Sequence, residues 1–228
     1  MLADPAWSSL TGTHASFALR SGRAARYLRE VSPFAGLEAL EPEALADLAR
    51  LVPANDFVAL FAEPSDLDFS GWRITQRIEV TRMVCDTPVS SPKREPIALS
   101  AVDVPEMLAL VELTQPGPFG PRTIEMGRYL GFREKGQLVA MGGERLKPSG
   151  ATEVSGICTA PGARGRGLAE DVVRAVAASI QARGEQPFLH IARGSASEAS
   201  ATRLYSRLGF REAQRASLVI VQRDTDPA

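Results

Sequence analysis

The chain has 228 residues, 44% of them hydrophobic, with 26 Lys and Arg against 27 Asp and Glu for a formal net charge of -1. That supplies a buried core for one large domain or two small ones, and it offers no general attraction to nucleic acid or anionic lipid, so any anion site must be local. No run approaches the roughly 18 apolar residues that span a bilayer, residues 1–19 lack the basic-then-apolar order of a signal peptide, and Cys85, Cys158, His14 and His190 are too scattered for a zinc site or a disulfide framework. A cytoplasmic protein without a metal centre is expected.

Residues 1–40 are rich in Ala, Ser, Gly and Arg, with a short helix expected over Arg23–Val31. Pro42–Val52 carries apolar residues at helical spacing, while Phe57–Phe61 and Trp72–Val84 read as strands, the second alternating through Ile74, Ile78, Val80 and Met83. Prolines, serines and charges crowd Thr87–Pro96, as they do at domain edges, and place a boundary between an α+β segment (1–95) and a second unit (96–228). Ile97–Leu99 then reads as a strand and Val104–Leu113 as a helix, followed by the Pro/Gly-rich stretch Pro116–Pro121. Tyr129–Arg133 and Gln137–Leu146 flank Glu134-Lys135-Gly136 as a hairpin, and Glu153–Thr159 is a further strand. Gly167–Arg183 is the clearest helix: Leu168, Val172, Val176 and Ile180 form one stripe, Glu170 and Asp171 sit in the first turn, and Gly184 supplies the stop. Phe188–Ala192 reads as a buried strand, Ser197–Leu208 as a helix, and Phe210–Arg223 as a closing pair of strands.

The stretch from Val154 to Ala169 is a strand that ends in a glycine-rich turn and opens directly into the strongest helix. Gly165 and Gly167 permit a tight turn and close backbone approach, the first-turn N–H groups of the helix point outward, and Arg164 and Arg166 add donors suited to phosphate. A Walker loop and a dinucleotide fingerprint both fail on residues: no Gly-Lys-Ser/Thr follows, and Glu170 stands where the third glycine would be. Arg164-x-x-Gly167-x-Ala169 instead resembles the pyrophosphate signature of the GNAT superfamily of N-acetyltransferases. Leu204-Tyr-Ser-Arg-Leu-Gly-Phe210 resembles the closing motif of the same superfamily, and Gly142–Arg145 with Glu153–Thr159 is similar to one bacterial branch of it.

The resemblance covers roughly Ile97 to Arg223 and implies an α/β (α+β) fold: a mixed, splayed sheet flanked by helices, with acetyl-CoA lying in the cleft as donor substrate. It implies that Ile157, Cys158, Thr159, Arg164, Gly165, Arg166, Gly167, Leu168, Ala169 and Ala201 line the donor site. Many members carry Asn seven residues before the tyrosine, where this chain has Glu198. Tyr205 matches the superfamily's general acid, and backbone N–H groups near Ile157 would hold the thioester carbonyl. Removing a proton from an amine of pKa about 10.4 calls for a carboxylate, with Glu153 and Glu144 as candidates. Glu153 is expected on the same strand face as Ile157, about 13 Å away at about 3.3 Å per residue, so that a water relay would join it to the amine.

Plainer readings stand beside these. Cys158 suits a small core residue better than a nucleophile, and His190 a core or cleft position without a catalytic role. A non-catalytic acyl-CoA-binding or scaffolding module is the competing function. The expected partner is an amine acceptor, small molecule or protein, with neither nucleic acid nor membrane involved. The N-terminal segment is left open as a degenerate copy of the fold, a gating appendage or a homodimer arm.

Overall fold

The computed structural model describes residues 4–62, Phe69 and 71–224. Its elements in chain order are α1 (Pro5–Thr11), β1 (Ala18–Ser21), β2 (Ala24–Tyr27), β3 (Ala35–Leu37), α2 (Pro42–Ala49), β4 (Phe57–Ala62), β5 (Trp72–Cys85), β6 (Ile97–Leu99), α3 (Val104–Thr114), β7 (Tyr129–Glu134), β8 (Gln137–Glu144), β9 (Ala151–Thr159), α4 (Leu168–Ala182), β10 (Gln186–Ala192), α5 (Glu198–Arg207) and β11 (Phe210–Arg223). Eight strands form one mixed sheet in the order β4-β11-β5-β10-β9-β8-β7-β6, and β1 to β3 form a small antiparallel sheet. In the large sheet only β9 and β10 run parallel. The fold class is therefore the one read from the sequence.

Segment 1–95 does not stand apart from this sheet. β4 pairs with β11, and β5 lies between β10 and β11, matched to β11 from Phe210↔Cys85 to Arg223↔Trp72. A boundary at residue 96 thus cuts through one sheet. The proline- and serine-rich stretch is a strap along α4: the Val89 N–H donates to Gln181 Oε1 (2.9 Å), the Lys93 N–H to Asp171 Oδ1 (2.9 Å), and Gln181 Nε2 to the Thr87 carbonyl (2.8 Å). Polar and proline content marks a segment without a ladder of its own, and side chains of a neighbouring helix satisfy its backbone.

Two further expectations change. Residues 23–31 contain β2 instead of a helix, because Gly22 takes a left-handed turn (φ 48°) that sends the chain back along β1. Residues 210–223 form one strand instead of two. They contain no Gly, Pro or Asn after the start of the strand, so nothing turns the chain, and the extra residue Ala213 opposite β5 is absorbed as a bulge.

Helix α4 lays Val172, Val176 and Ile180 against Val154, Leu189 and Ile191 on one face of the sheet. Helix α3 covers the other face over β8 and β9 through Met107 and Leu110, which meet Tyr129, Met141 and Cys158. Alongside, the N-terminal segment brings Leu10, Tyr27 and Phe34 onto Leu146, Phe188 and Val84. His14 pins that segment: its Nδ1 accepts from the Tyr27 hydroxyl (2.9 Å) and its Nε2–H donates to the Met126 carbonyl (3.0 Å). Both bonds suit the neutral ring, and burial pushes its pKa down to about 4.

Two outcomes are expected. Residues 96–228 expressed alone lack β5, leave β10 and β11 without a common partner, and will show no cooperative thermal transition by circular dichroism; a sharp transition would contradict the single-sheet account. His14 has a folded pKa below its unfolded value of about 6.5, so the unfolded state binds the extra proton between pH about 4 and 6.5 and stability falls as pH falls through that window. Chemical denaturation from pH 7 to 4 should therefore cost the wild type up to about 3 kcal/mol more than His14→Gln, which cannot titrate.

Candidate active site

The site begins where β9 and β10 part. Their parallel ladder runs from Gln186↔Ala151 to Phe188↔Glu153 and ends there, although β9 continues to Thr159 and β10 to Ala192. Beyond Glu153 the two strands diverge and open a cleft of about 900 Å³. A bulge in β9 helps to shape it. Gly143 pairs with Ser155 and Met141 with Cys158, so Gly156 and Ile157 of β9 together oppose the single residue Gly142 of β8, and Gly156 adopts φ 65°. A glycine inside a strand pattern is the sequence signal for such a bulge.

The bulge reverses which side chains share a face. Ile157 packs with Val154 against α4, while Glu153 turns to the opposite face, so the expected common face of Glu153 and Ile157 does not exist. After β9 the chain passes Gly165 (φ 77°) and Gly167 (φ 79°), both left-handed, and α4 starts with no side-chain cap. The first-turn N–H groups are thus left facing the cleft mouth.

Of the residues singled out in the sequence, Ile157, Cys158, Thr159, Arg164, Gly165, Gly167, Leu168, Ala169, Ala201 and Tyr205 all line the cleft. Arg166 does not: its guanidinium is paired with Glu134, Nη2 to Oε1 at 2.6 Å. Glu198 turns back to cap its own loop, accepting from the Gly194 N–H at 2.6 Å, and it is not among the lining residues. The acid in place of the superfamily's Asn is thus spent on the turn before α5. Tyr205 is partly buried beside Phe210 (ring centroids 5.9 Å), and burial pushes its phenol up to about 12. Burial also raises the Cys158 thiol to about 11, which keeps it protonated at neutral pH and suits a packing role.

Neither candidate base lines the cleft. Glu144 is buried between Lys147 Nζ (2.7 Å) and Arg183 Nη2 (3.0 Å), tying the end of β8 to the end of α4. Glu153 is fully buried and takes two bonds from Arg145, Nε at 2.8 Å and Nη2 at 2.9 Å. Burial alone would raise its pKa, but the Arg145 charge and the bonds from Arg145 and His190 outweigh this and hold the carboxyl well below the usual range. A carboxylate so held is a poor proton acceptor. Arg145 and Glu153 exchange a backbone bond across neighbouring strands, Arg145 N–H to the Glu153 carbonyl at 3.0 Å, so opposite charges at facing positions were the available signal.

Sequence reasoning gave His190 no part beyond core or cleft, and it lines the cleft. Its Nδ1–H donates to Glu153 Oε1 (2.7 Å) and its Nε2 accepts from Arg82 Nε (3.1 Å), while burial lowers its pKa. The imidazole is therefore neutral, with both nitrogens engaged. Arg145, Glu153, His190 and Arg82 form a buried line of charges and hydrogen bonds just where the backbone ladder stops. The residues after α3, Gln115 to Gly117, close the other side of the cleft, so the Pro/Gly-rich loop begins at the site. Among the described residues no cluster of His, Cys, Asp and Glu could hold a metal ion, and no helix is long and apolar enough to cross a membrane.

A splayed parallel pair leading into a glycine-rich turn and a helix N-terminus is the architecture of an acyl-CoA-dependent transferase, and comparison with known proteins bears on it directly. The FR47-like protein family matches residues 129–219. A crystal structure from Novosphingobium aromaticivorans DSM 12444, described as a GNAT-family acetyltransferase, is 39% identical, with 97% of this chain and 98% of that one covered at a TM-score of 0.88. A GCN5-related N-acetyltransferase from Kribbella flavida shares the fold at 17% identity, with 96% of each chain covered and a TM-score of 0.64. No curated protein matches the chain. The chain belongs to the GNAT family of acetyltransferases, which generally uses acetyl-CoA.

Removing one partner of a buried pair strands the other charge, so Glu153→Gln should lower stability by about 3–5 kcal/mol at pH 7. Because the folded pKa is depressed, that contribution is present above about pH 4.3 and fades as pH falls towards the folded value, so the gap to wild type should narrow only in acid. Denaturant titrations at pH 7 and pH 3 check it; an unchanged midpoint at pH 7 would refute it.

Proposed function

We propose that this protein transfers the acetyl group of acetyl-CoA to a primary amine, carried by a small molecule or a protein, through direct attack while both substrates are bound. The observation that carries the proposal is the divergence of β9 and β10 onto the Gly165–Gly167 turn. The residues fit an elongated, phosphate-bearing donor. A Cβ at Gly162 or Gly165 would meet nothing within 4 Å, so the turn leaves open space beside free N–H groups. Thr159 lines the cleft with Oγ1 buried and without a hydrogen-bond partner among the described residues, a polar atom that calls for one. Arg164, which donates from Nε to the Thr159 carbonyl (3.3 Å), brings its cation to the same wall.

When bound, acetyl-CoA supplies an activated acyl carbon and a thiolate leaving group. The chain's own contribution is positioning and hydrogen bonding. Backbone N–H groups of β9 beyond Glu153 have left the ladder with β10 and are available to an acyl oxygen. Lining the cleft, the Tyr205 hydroxyl would donate towards the sulfur of a bound donor. With a phenol near 12 against a thiol near 8.5, complete proton transfer from Tyr205 would be uphill by roughly 5 kcal/mol. Tyr205 therefore acts best as a hydrogen-bond donor that stabilises the departing sulfur, and the proton lost by the amine balances the thiolate. Glu144 and Glu153, held by cations away from the cleft, are not part of this reading as bases.

Thermal unfolding with acetyl-CoA, and with NAD and ATP as controls, tests the donor. Saturation at about 100 times Kd should add about 2.7 kcal/mol, which is several degrees for a chain of this size. Gly165→Asp, which sets a carboxylate in the turn, should abolish the shift. With an amine found by screening, Tyr205→Phe should lower kcat by about tenfold or more with little change in acetyl-CoA affinity. No stabilisation at millimolar acetyl-CoA would overturn the proposal.

A further inference from the structure

Arg94 lies in the strap, outside the residues that match the family, and it reaches the glycine-rich turn from the side. Its Nη2 donates to the Arg166 carbonyl at 2.5 Å, and its Nε bonds Asp171 Oδ2 at 2.8 Å. Asp171 belongs to the first turn of α4, its side chain is 3% exposed, and its other oxygen accepts from the Lys93 N–H at 2.9 Å. A Cβ at Gly167 would come 3.2 Å from Arg94 Nη2, so the guanidinium stands against the residue that opens the helix. One side chain thus ties the carbonyl just before Gly167 to the helix just after it.

We infer that Arg94 is a positioning residue for the phosphate-holding turn, locking Gly165–Gly167 and the first turn of α4 in the arrangement that presents their N–H groups to the donor's pyrophosphate. This rests on the acetyl-CoA reading above. Three observations support it beyond simple anchoring of the strap. Arg94 bonds the turn itself as well as the helix, Asp171 is an acid buried at a helix start where Arg94 is its ion-pair partner, and Arg94 is not among the residues lining the cleft. Arg94 therefore acts through the turn. A planar guanidinium holds its Nε and Nη2 donors in a fixed fork, so the two acceptors are set in direction relative to each other, which the rotatable ammonium of a lysine does not do.

The test measures binding of acetyl-CoA and of acetyl-pantetheine, which lacks the phosphates, by calorimetric titration of the full chain. Arg94→Gln should weaken acetyl-CoA by about tenfold, the size expected for losing charge-assisted positioning of the turn, and leave acetyl-pantetheine unchanged. Because Arg94→Gln strands the buried Asp171 charge, the double variant Arg94→Gln/Asp171→Asn is included. It should regain thermal stability, keep the Lys93 bond, and still bind acetyl-CoA about tenfold more weakly than wild type. A double variant within about twofold of wild type for acetyl-CoA, or an equal loss for acetyl-pantetheine, would overturn the inference while leaving the donor reading intact. Failure of the wild type itself to bind acetyl-CoA would overturn both.

Discussion

Two strands that run side by side for three residue pairs and then separate must be kept apart, because open backbone edges and apolar side chains both favour closing the gap. Here the buried Arg145–Glu153 pair stands at the last paired position, with His190 joining Glu153 from β10 and Arg82 joining His190 from β5. Charges removed from water are tolerated only when fully partnered, so this line of side chains has one satisfied geometry. It spans the base of the cleft from β9 to β5, and Phe34 and Phe61 stack upon Arg145 and His190 to keep water out. The cleft, the exposed N–H groups of β9 and the site of Tyr205 all follow from that separation.

The first 95 residues serve the same end. β5 supplies Arg82 and the ladder that joins β10 to β11, while α1 and the small sheet bring Phe34 and Tyr27 over the charged line. The strap that follows β5 then crosses α4 and ends with Arg94 at the glycine-rich turn. Residues with no catalytic signature of their own therefore fix both ends of the cleft: its base through β5 and its mouth through the strap.

Much of the site was legible because its chemistry is local. The turn from Ala160 to Ala169 and the helix carrying Ala201 and Tyr205 encode their own geometry through left-handed glycines and helical spacing. That the two candidate glutamates lie outside the cleft is not legible locally. A carboxylate on a strand reads the same whether it faces an amine or an arginine, and the partner decides which. Arg145 neutralises Glu153, and Lys147 with Arg183 neutralises Glu144. The single extra residue at Gly156 also moved Ile157 to the other face, a shift that strand periodicity reveals only when the bulge is placed.

By itself the sequence determined the family, the fold class, the strand–turn–helix that opens the cleft and the tyrosine beside it, since each depends on residues a few positions apart. Tertiary structure alone decided that β5 completes the sheet, that Glu153 is an ion-pair partner, and that Arg94 holds a turn containing Arg166. Arg94 and Asp171 are 77 positions apart, and Arg82 and His190 are 108. Contacts at such separations depend on which strands become neighbours, and that is set by burial of the whole apolar sheet rather than by any local pattern.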